Sequence, residues 1–295
     1  MATSIVQLAG PAAETRPSAR LRALRAAFRN RLIFVGLALA LIFILVAIDP
    51  GLLTSGDPYK MNMAKAMKGP TAENWLGTDN FGRDVWTRIL YGTRASLGIA
   101  FASVGVAVLL GTALGSVAGY FGKAVDQISG RVMDIFFSFP SLLLAITIAG
   151  ILGPSVRNVI LAITIVYIPF FFRVARGPML VEKEREYVQA ARALGASDTR
   201  ILLRHLLPNI LAPVVVQASV TLCYAILIEA SLSYLGLGIQ PPHPSWGSIL
   251  NEGRPYLQIA PWISVFPGIA IMLAVLAFNL LGDGLRDLWD PRNSQ

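Results

Sequence analysis

The chain has 295 residues, 55% of them hydrophobic and only 14% charged, and no soluble domain of that size needs so much apolar surface. It is therefore a membrane protein. The net charge of +8 comes without the aromatic and basic interleaving of a nucleic-acid surface, so basic cytoplasmic loops account for it and nucleic acid is excluded as a partner.

Residues 1–30 read as a cytoplasmic arm. Arg16, Arg20, Arg22, Arg25, Arg29 and Arg31 precede the first apolar run with no acid after Glu14, which holds the N-terminus inside by the positive-inside bias. The charged stretch is too long for a signal peptide and no A-x-A site follows, so the first helix is retained. Apolar stretches of spanning length run over 32–48, 97–118, 132–152, 159–173, 210–235 and 259–281, making six transmembrane helices. The fourth is short and holds Pro169, so it is either broken or extended upstream through Val156. Six spans return the C-terminus to the cytoplasm and put 119–131 and 176–208 on the same side, where Arg173, Arg176, Lys183, Arg185, Arg192, Arg200 and Arg204 cluster. The outer loop also carries Lys60, Lys65, Lys68, Arg83, Arg88 and Arg94, so the N-terminal arginines and the hairpin must dominate the orientation. The implied divisions are the arm 1–30, a first helix with outer loop over 31–96, a permease core over 97–285 and a cytoplasmic tail over 286–295.

Within the outer loop, Phe81, Val85, Trp86, Ile89 and Leu90 share one helical face, opposite Arg83, Asp84, Thr87 and Arg88. That pattern predicts an interfacial helix lying along the outer leaflet, for which anchoring is function enough.

From 176 to 208 the chain is polar between two apolar spans. It reads as a helix, a tight turn at Gly195 and a second helix with Ser197 as N-cap. The small side chains of Ala190 and Ala191 permit close approach to a partner, Gly195 permits a positive φ, and the flanking charges set register. A solvated hairpin with no partner has the same local pattern.

Further along, Glu229 sits near the outer end of the fifth span with Ser231 and Ser233 beside it. Charge at that depth faces a cavity or a partner, or else pairs with a basic group such as Arg94 or Arg254. The run from Gly236 to Pro242 reads as a rigid outer-face loop that either meets an extracytoplasmic protein or braces the helices, and His243 as a loop residue hydrogen-bonded to its surroundings. Asp283 and Arg286 are expected to cap the last span and meet a cytosolic partner. The lone Cys223 excludes an intrachain disulfide. No phosphate loop, H-E-x-x-H or paired Cys–His spacing occurs, so the sequence offers no catalytic residue, no metal site and no ATP site.

The run Gln189-Ala190-Ala191, three residues, Gly195, then Leu207-Pro208 resembles the signature loop of transmembrane subunits in binding-protein-dependent ABC importers. It departs from that pattern at Gln189, where the family has Glu, and at His205, where it has an aliphatic residue. Residues 76–92, 134–140, 229–250 and 279–292 are similar to the C-type permease of dipeptide, oligopeptide and nickel importers, so the likeness covers roughly 76–292. It implies an all-α membrane protein of about six transmembrane helices with the type I, methionine-importer-like permease fold. It also implies that helix 186–194 couples to a cytosolic ATPase through Glu186, Gln189, Ala190, Ala191, Gly195, Leu207 and Pro208. Independently of the resemblance, the cost of charge within the span makes Glu229, with Ser231 and Ser233, a candidate for the pathway or its gate.

The partners it implies are a second, B-type permease, two ATP-binding subunits that hold ATP and Mg, an extracytoplasmic substrate-binding protein and membrane lipid. The cargo would be a dipeptide or oligopeptide, and the same scaffold suits nickel chelate, glutathione or an opine. A stand-alone channel or secondary transporter would instead need internal repeats or intramembrane charge relays, which the chain lacks in recognisable form. A membrane enzyme would need a catalytic constellation, and two isolated histidines are not one.

Overall fold

The computed structural model describes residues 31–289, so the expected arm 1–30 and most of the expected tail 286–295 lie outside the described residues. Helices α1 (Arg31–Ile48), α2 (Val85–Phe121), α3 (Lys123–Phe137), α4 (Ser141–Leu152) and α5 (Val156–Glu182) are followed by α6 (Glu186–Ala193). Then come α7 (Asp198–Tyr234), α8 (Trp246–Gly253) and α9 (Trp262–Trp289). Helix is the outcome lipid dictates, because it satisfies every backbone donor and acceptor within the segment.

Among the described residues four helices, α2, α5, α7 and α9, are each long and apolar enough to cross a membrane. The six expected spans are all present as apolar helical segments, but one of them is not a straight span. The first is helical over Arg31–Ile48, from where the described residues begin. The third, expected over 132–152, breaks into α3 and α4, which meet at 88°. Pro140 causes the break, since it lacks an N–H and pushes Phe139 out of the helical region. The fourth resolves the other way. Helix α5 begins at Val156 and runs unbroken past Pro169 and Pro178.

The separate interfacial helix expected around 81–90 is instead the start of α2, whose 37 residues measure about 55 Å at 1.5 Å each. Asp84 caps it by accepting from the Thr87 amide at 2.8 Å. Both faces are buried, Val85, Ile89 and Leu90 on one and Arg83, Thr87 and Arg88 on the other.

The most extensive helix pair is α2 against α5. Gly111, Gly115 and Gly119 recur every fourth residue on the face of α2 that meets α5. A Cβ at Gly111 or Gly115 would run into the carbonyls of Ile168 or Phe172. Small residues at that spacing let two backbones approach and gain dispersion contacts, the main attraction between helices in lipid. Leu97, Ile163, Phe171, Met179, Ile226 and Phe278 fill the fully or almost fully buried core between α2, α5, α7 and α9.

Candidate functional site

At the hairpin end, α6 presents two faces. Val188 is fully buried and Ala191 packs half-buried against the core, while Glu186, Gln189 and Ala190 are exposed and Leu194 stands 88% exposed. The expectation that Ala190 and Ala191 both face outward therefore holds for Ala190 alone. Helical spacing turns adjacent residues 100° apart, and Val188 draws Ala191, three positions on, to its own side.

The tight turn expected at Gly195 is present. Gly195 has φ +79°, its amide donates to the Arg192 carbonyl, and the Ala196 amide donates to the Ala191 carbonyl, the paired bonds of a Schellman turn. A Cβ there would meet nothing within 4 Å, so the backbone angle and not crowding requires glycine. Ser197 stands at the N-cap position, but its side chain makes no capping bond.

The expected second helix is not a separate arm but the first turns of α7. It widens into a π-helix over Ile201–Leu206 before Leu207 and Pro208. Pro208 has no N–H for the Arg204 carbonyl, and the wider turn, in which the Leu207 amide donates to the Leu202 carbonyl, absorbs that loss. Leu207 packs on the core and Pro208 is exposed.

Two tyrosines hold this hairpin, and the sequence did not single out either clamp. Tyr120, near the end of α2, donates to Asp198 Oδ1 at 2.5 Å, and the Arg192 guanidinium lies 5.5 Å over its ring. The Tyr187 hydroxyl donates to Glu182 Oε2 at 2.9 Å and accepts from Asn209 Nδ2 at 2.9 Å. Burial, aided by the Glu182 carboxylate and opposed by Asn209, pushes the Tyr187 phenol above its ordinary value. Lys183 Nζ donates to the Gly119 carbonyl at 2.9 Å, placing a cation where the last carbonyls of α2 lack intrahelical donors. The ends of α2, α5 and α7 thus meet α6 through polar contacts.

The far end is built differently. Arg83 Nε donates to Asp79 Oδ2 at 2.6 Å and Arg88 Nη1 to the same oxygen at 2.5 Å. Both arginines also reach Glu252 on α8, at 2.6 Å from Arg83 and at 2.7 and 3.0 Å from Arg88. Two cations and two anions cancel in a site where Arg83, Arg88 and Asp79 are almost fully buried. Trp246, fully buried at the start of α8, donates its ring N–H to the Ile89 carbonyl and its amide to Ser96 Oγ, both at 3.2 Å. Ser245 and Ser248 form a capping box at the same turn. His243 is hydrogen-bonded, Nδ1 lying 2.8 Å from the Tyr59 hydroxyl of the first outer loop.

Glu229 and Ser233 join that locked region. Glu229 is fully buried, Oε1 accepts from Ser233 Oγ at 2.7 Å, Ser96 and Ser245 lie beside it, and Oε2 makes no hydrogen bond. The expected pairing with Arg94 or Arg254 is absent. Arg94 donates to the carbonyls of Ala47 and Ile48, and Arg254 is exposed. Of the three pathway candidates Ser231 alone faces a cavity, formed between α4, α5 and α7. Asp283 and Arg286 are exposed on α9, which continues past both to Trp289, so neither ends the helix.

The family model described as "Binding-protein-dependent transport system inner membrane component" matches residues 111–295. A dipeptide transport system permease protein DppC of Alkalihalophilus pseudofirmus is 48% identical over 90% of this chain and 87% of its own length. A glutathione transport system permease protein GsiD of Pectobacterium atrosepticum is 49% identical over 76% of this chain and 75% of its own length. Among solved structures, an inward-facing MetNI methionine ABC transporter matches with a TM-score of 0.55 at 21% identity, over 68% of this chain and 95% of its own. That likeness bears on the fold alone.

Proposed function

The chain belongs to the binding-protein-dependent transport system inner membrane component family, as a C-type permease subunit of an ABC importer in the inner membrane, and from that premise we propose that it carries short peptides and is driven through α6. It performs no covalent chemistry, because in this family ATP hydrolysis resides in separate subunits. Such permeases work with a second permease, ATPase subunits and a substrate-binding protein. For this chain we infer a B-type permease, two ATP-binding subunits and an extracytoplasmic binding protein, with the hairpin and both termini in the cytoplasm. The shared chemistry of the dipeptide and glutathione cargoes named for its relatives supports a short peptide as substrate.

The exposed face of α6 carries the coupling reading. Glu186, Gln189, Ala190 and Leu194 are exposed, while Val188 is buried, Tyr187 ties the same helix to Glu182 of α5 and Asn209 of α7, and Arg192 lies over the Tyr120 ring of α2. When ATP draws the ATPase pair together, a helix held this way moves with its partner and transmits the movement to the spans that carry it. The two permeases then rock between inward- and outward-open arrangements.

The test is a cysteine in place of Leu194 in a Cys223→Ser background. It should cross-link to an ATPase subunit, and nucleotide should change the yield. In intact cells a cysteine at Asn251 should react with an impermeant maleimide, and one at Ser197 only after permeabilisation. No cross-link in an assembled, transporting complex would remove α6 as the contact.

A further inference from the structure

The cavity beside Ser231 lies among the spans and takes no part in the coupling reading. It holds about 450 Å³, within the ~300–1,000 Å³ range of small-molecule sites. Its α7 wall carries Gln217, Thr221, Tyr224 and Ser231, spaced by four, three and seven residues, the repeat of a single helical face. Tyr224 is 56% exposed, and Gln217 spends one donor on Thr221 Oγ1 at 3.3 Å, leaving further hydrogen-bonding capacity. Lipid offers no partner to such groups, so a polar stripe on a spanning helix belongs against water, cargo or protein.

The concavity also has the right length. A second, apolar cavity of about 320 Å³ shares Leu142, Leu227 and Ser231 with the first and continues to Tyr234 and to Leu250 of α8. From Gln217 to Tyr234 the groove follows α7 for about 26 Å, close to the ~30 Å of a hydrocarbon core. Neither cavity is lined by Asp, Glu, Lys, Arg or His. Glu229, an acid in the same helix, points instead toward Ser233, Ser96 and Ser245.

We propose that the Gln217, Thr221, Tyr224 and Ser231 stripe is this subunit's share of the translocation pathway, an uncharged hydrogen-bonding track that engages the peptide amide and is indifferent to side-chain charge. The proposal rests on the permease reading above and adds the residues and the selectivity. A fixed charge in the track would hold cargo of opposite sign and repel cargo of like sign. A row of amide and hydroxyl groups meets the backbone that every peptide shares.

The experiment uses the complete importer in proteoliposomes, with Ala-Ala, Ala-Lys and Ala-Glu as probes. With wild-type chain the relative uptake of Ala-Lys and Ala-Glu is set by the binding protein. Gln217→Glu, which keeps volume and adds an anion, should shift that ratio about tenfold toward Ala-Lys, and Gln217→Lys should shift it oppositely. In a Cys223→Ser background, cysteines replacing Gln217 or Tyr224 should react with a small hydrophilic methanethiosulfonate. One replacing Leu109, an outward apolar residue of α2, should not.

Wild-type uptake with an unshifted ratio in both Gln217 variants, or cysteines at 217 and 224 as inert as the one at 109, would overturn the stripe. If the wild-type importer carries none of the three dipeptides, the peptide reading fails separately, and the cysteine reactivities still decide whether the stripe faces water.

Discussion

The two ends of the helix bundle are held by opposite means. At the far end, two arginines, two carboxylates, a buried tryptophan and a capping box lock α8 to the start of α2. At the hairpin end, α6 is an eight-residue helix with one fully buried side chain, fastened by the Tyr187 hydroxyl near its start and by Arg192 over the Tyr120 ring near its end. Charge cancellation in a dry site gives a joint that is costly to open, whereas a few partly wet hydrogen bonds give one that can shift as a unit. The contrast is the one that the proposed coupling through α6 requires, a firm joint at the far end and a yielding one at the hairpin.

The largest effect should come from breaking the locked end. Arg88→Met leaves Arg83 as the one cation between Asp79 and Glu252 and should lower stability by about 3–5 kcal/mol, read as a fall in melting temperature of the purified complex. A melt equal to wild type would mean that the cluster does not hold α8. Next is Tyr120→Phe, which removes a hydrogen bond to a carboxylate worth about 1.5–3 kcal/mol. Its signature should be functional, with more ATP hydrolysed per peptide imported. A stability loss at unchanged stoichiometry would make Tyr120 a simple brace.

Gly195→Leu forces a branched side chain into φ +79° at a cost of about 1–3 kcal/mol and should depress uptake while the chain still inserts. Gly195→Asn, which tolerates that angle, should retain more uptake than the leucine variant. Equal uptake in the two would mean that the turn geometry is unimportant. The smallest effect belongs to Glu229→Gln. No cation answers this carboxyl and an amide keeps its volume, so melting temperature and uptake should change by less than about 1 kcal/mol equivalent. A collapse of either would reveal a role for its ionisation.

Legibility in the sequence divided along the range of the forces involved. The apolar segments, the Gly195 turn and the polar hairpin were readable because each follows from a run of neighbouring residues. Ser231, which lines the cavity, stands out in the sequence, but only together with Glu229 and Ser233, which face the protein interior. Gln217, Thr221 and Tyr224 escaped notice because a polar stripe inside an apolar span barely changes its mean hydropathy. Only their spacing of four and three residues could have revealed it.

By itself the sequence determined that the chain is helical and membrane-embedded, and where its polar hairpin turns. Lipid admits little else for long apolar runs, and a positive φ selects glycine locally. Tertiary structure alone decided which polar residues are dry. Arg88 reads as a wet helix face until Glu252, 164 residues later, arrives to cancel its charge. Glu229 reads as a pathway acid until Ser96, Ser233 and Ser245 close around it. Burial of a polar group depends on whether a distant segment brings a partner, and no window along the chain contains both.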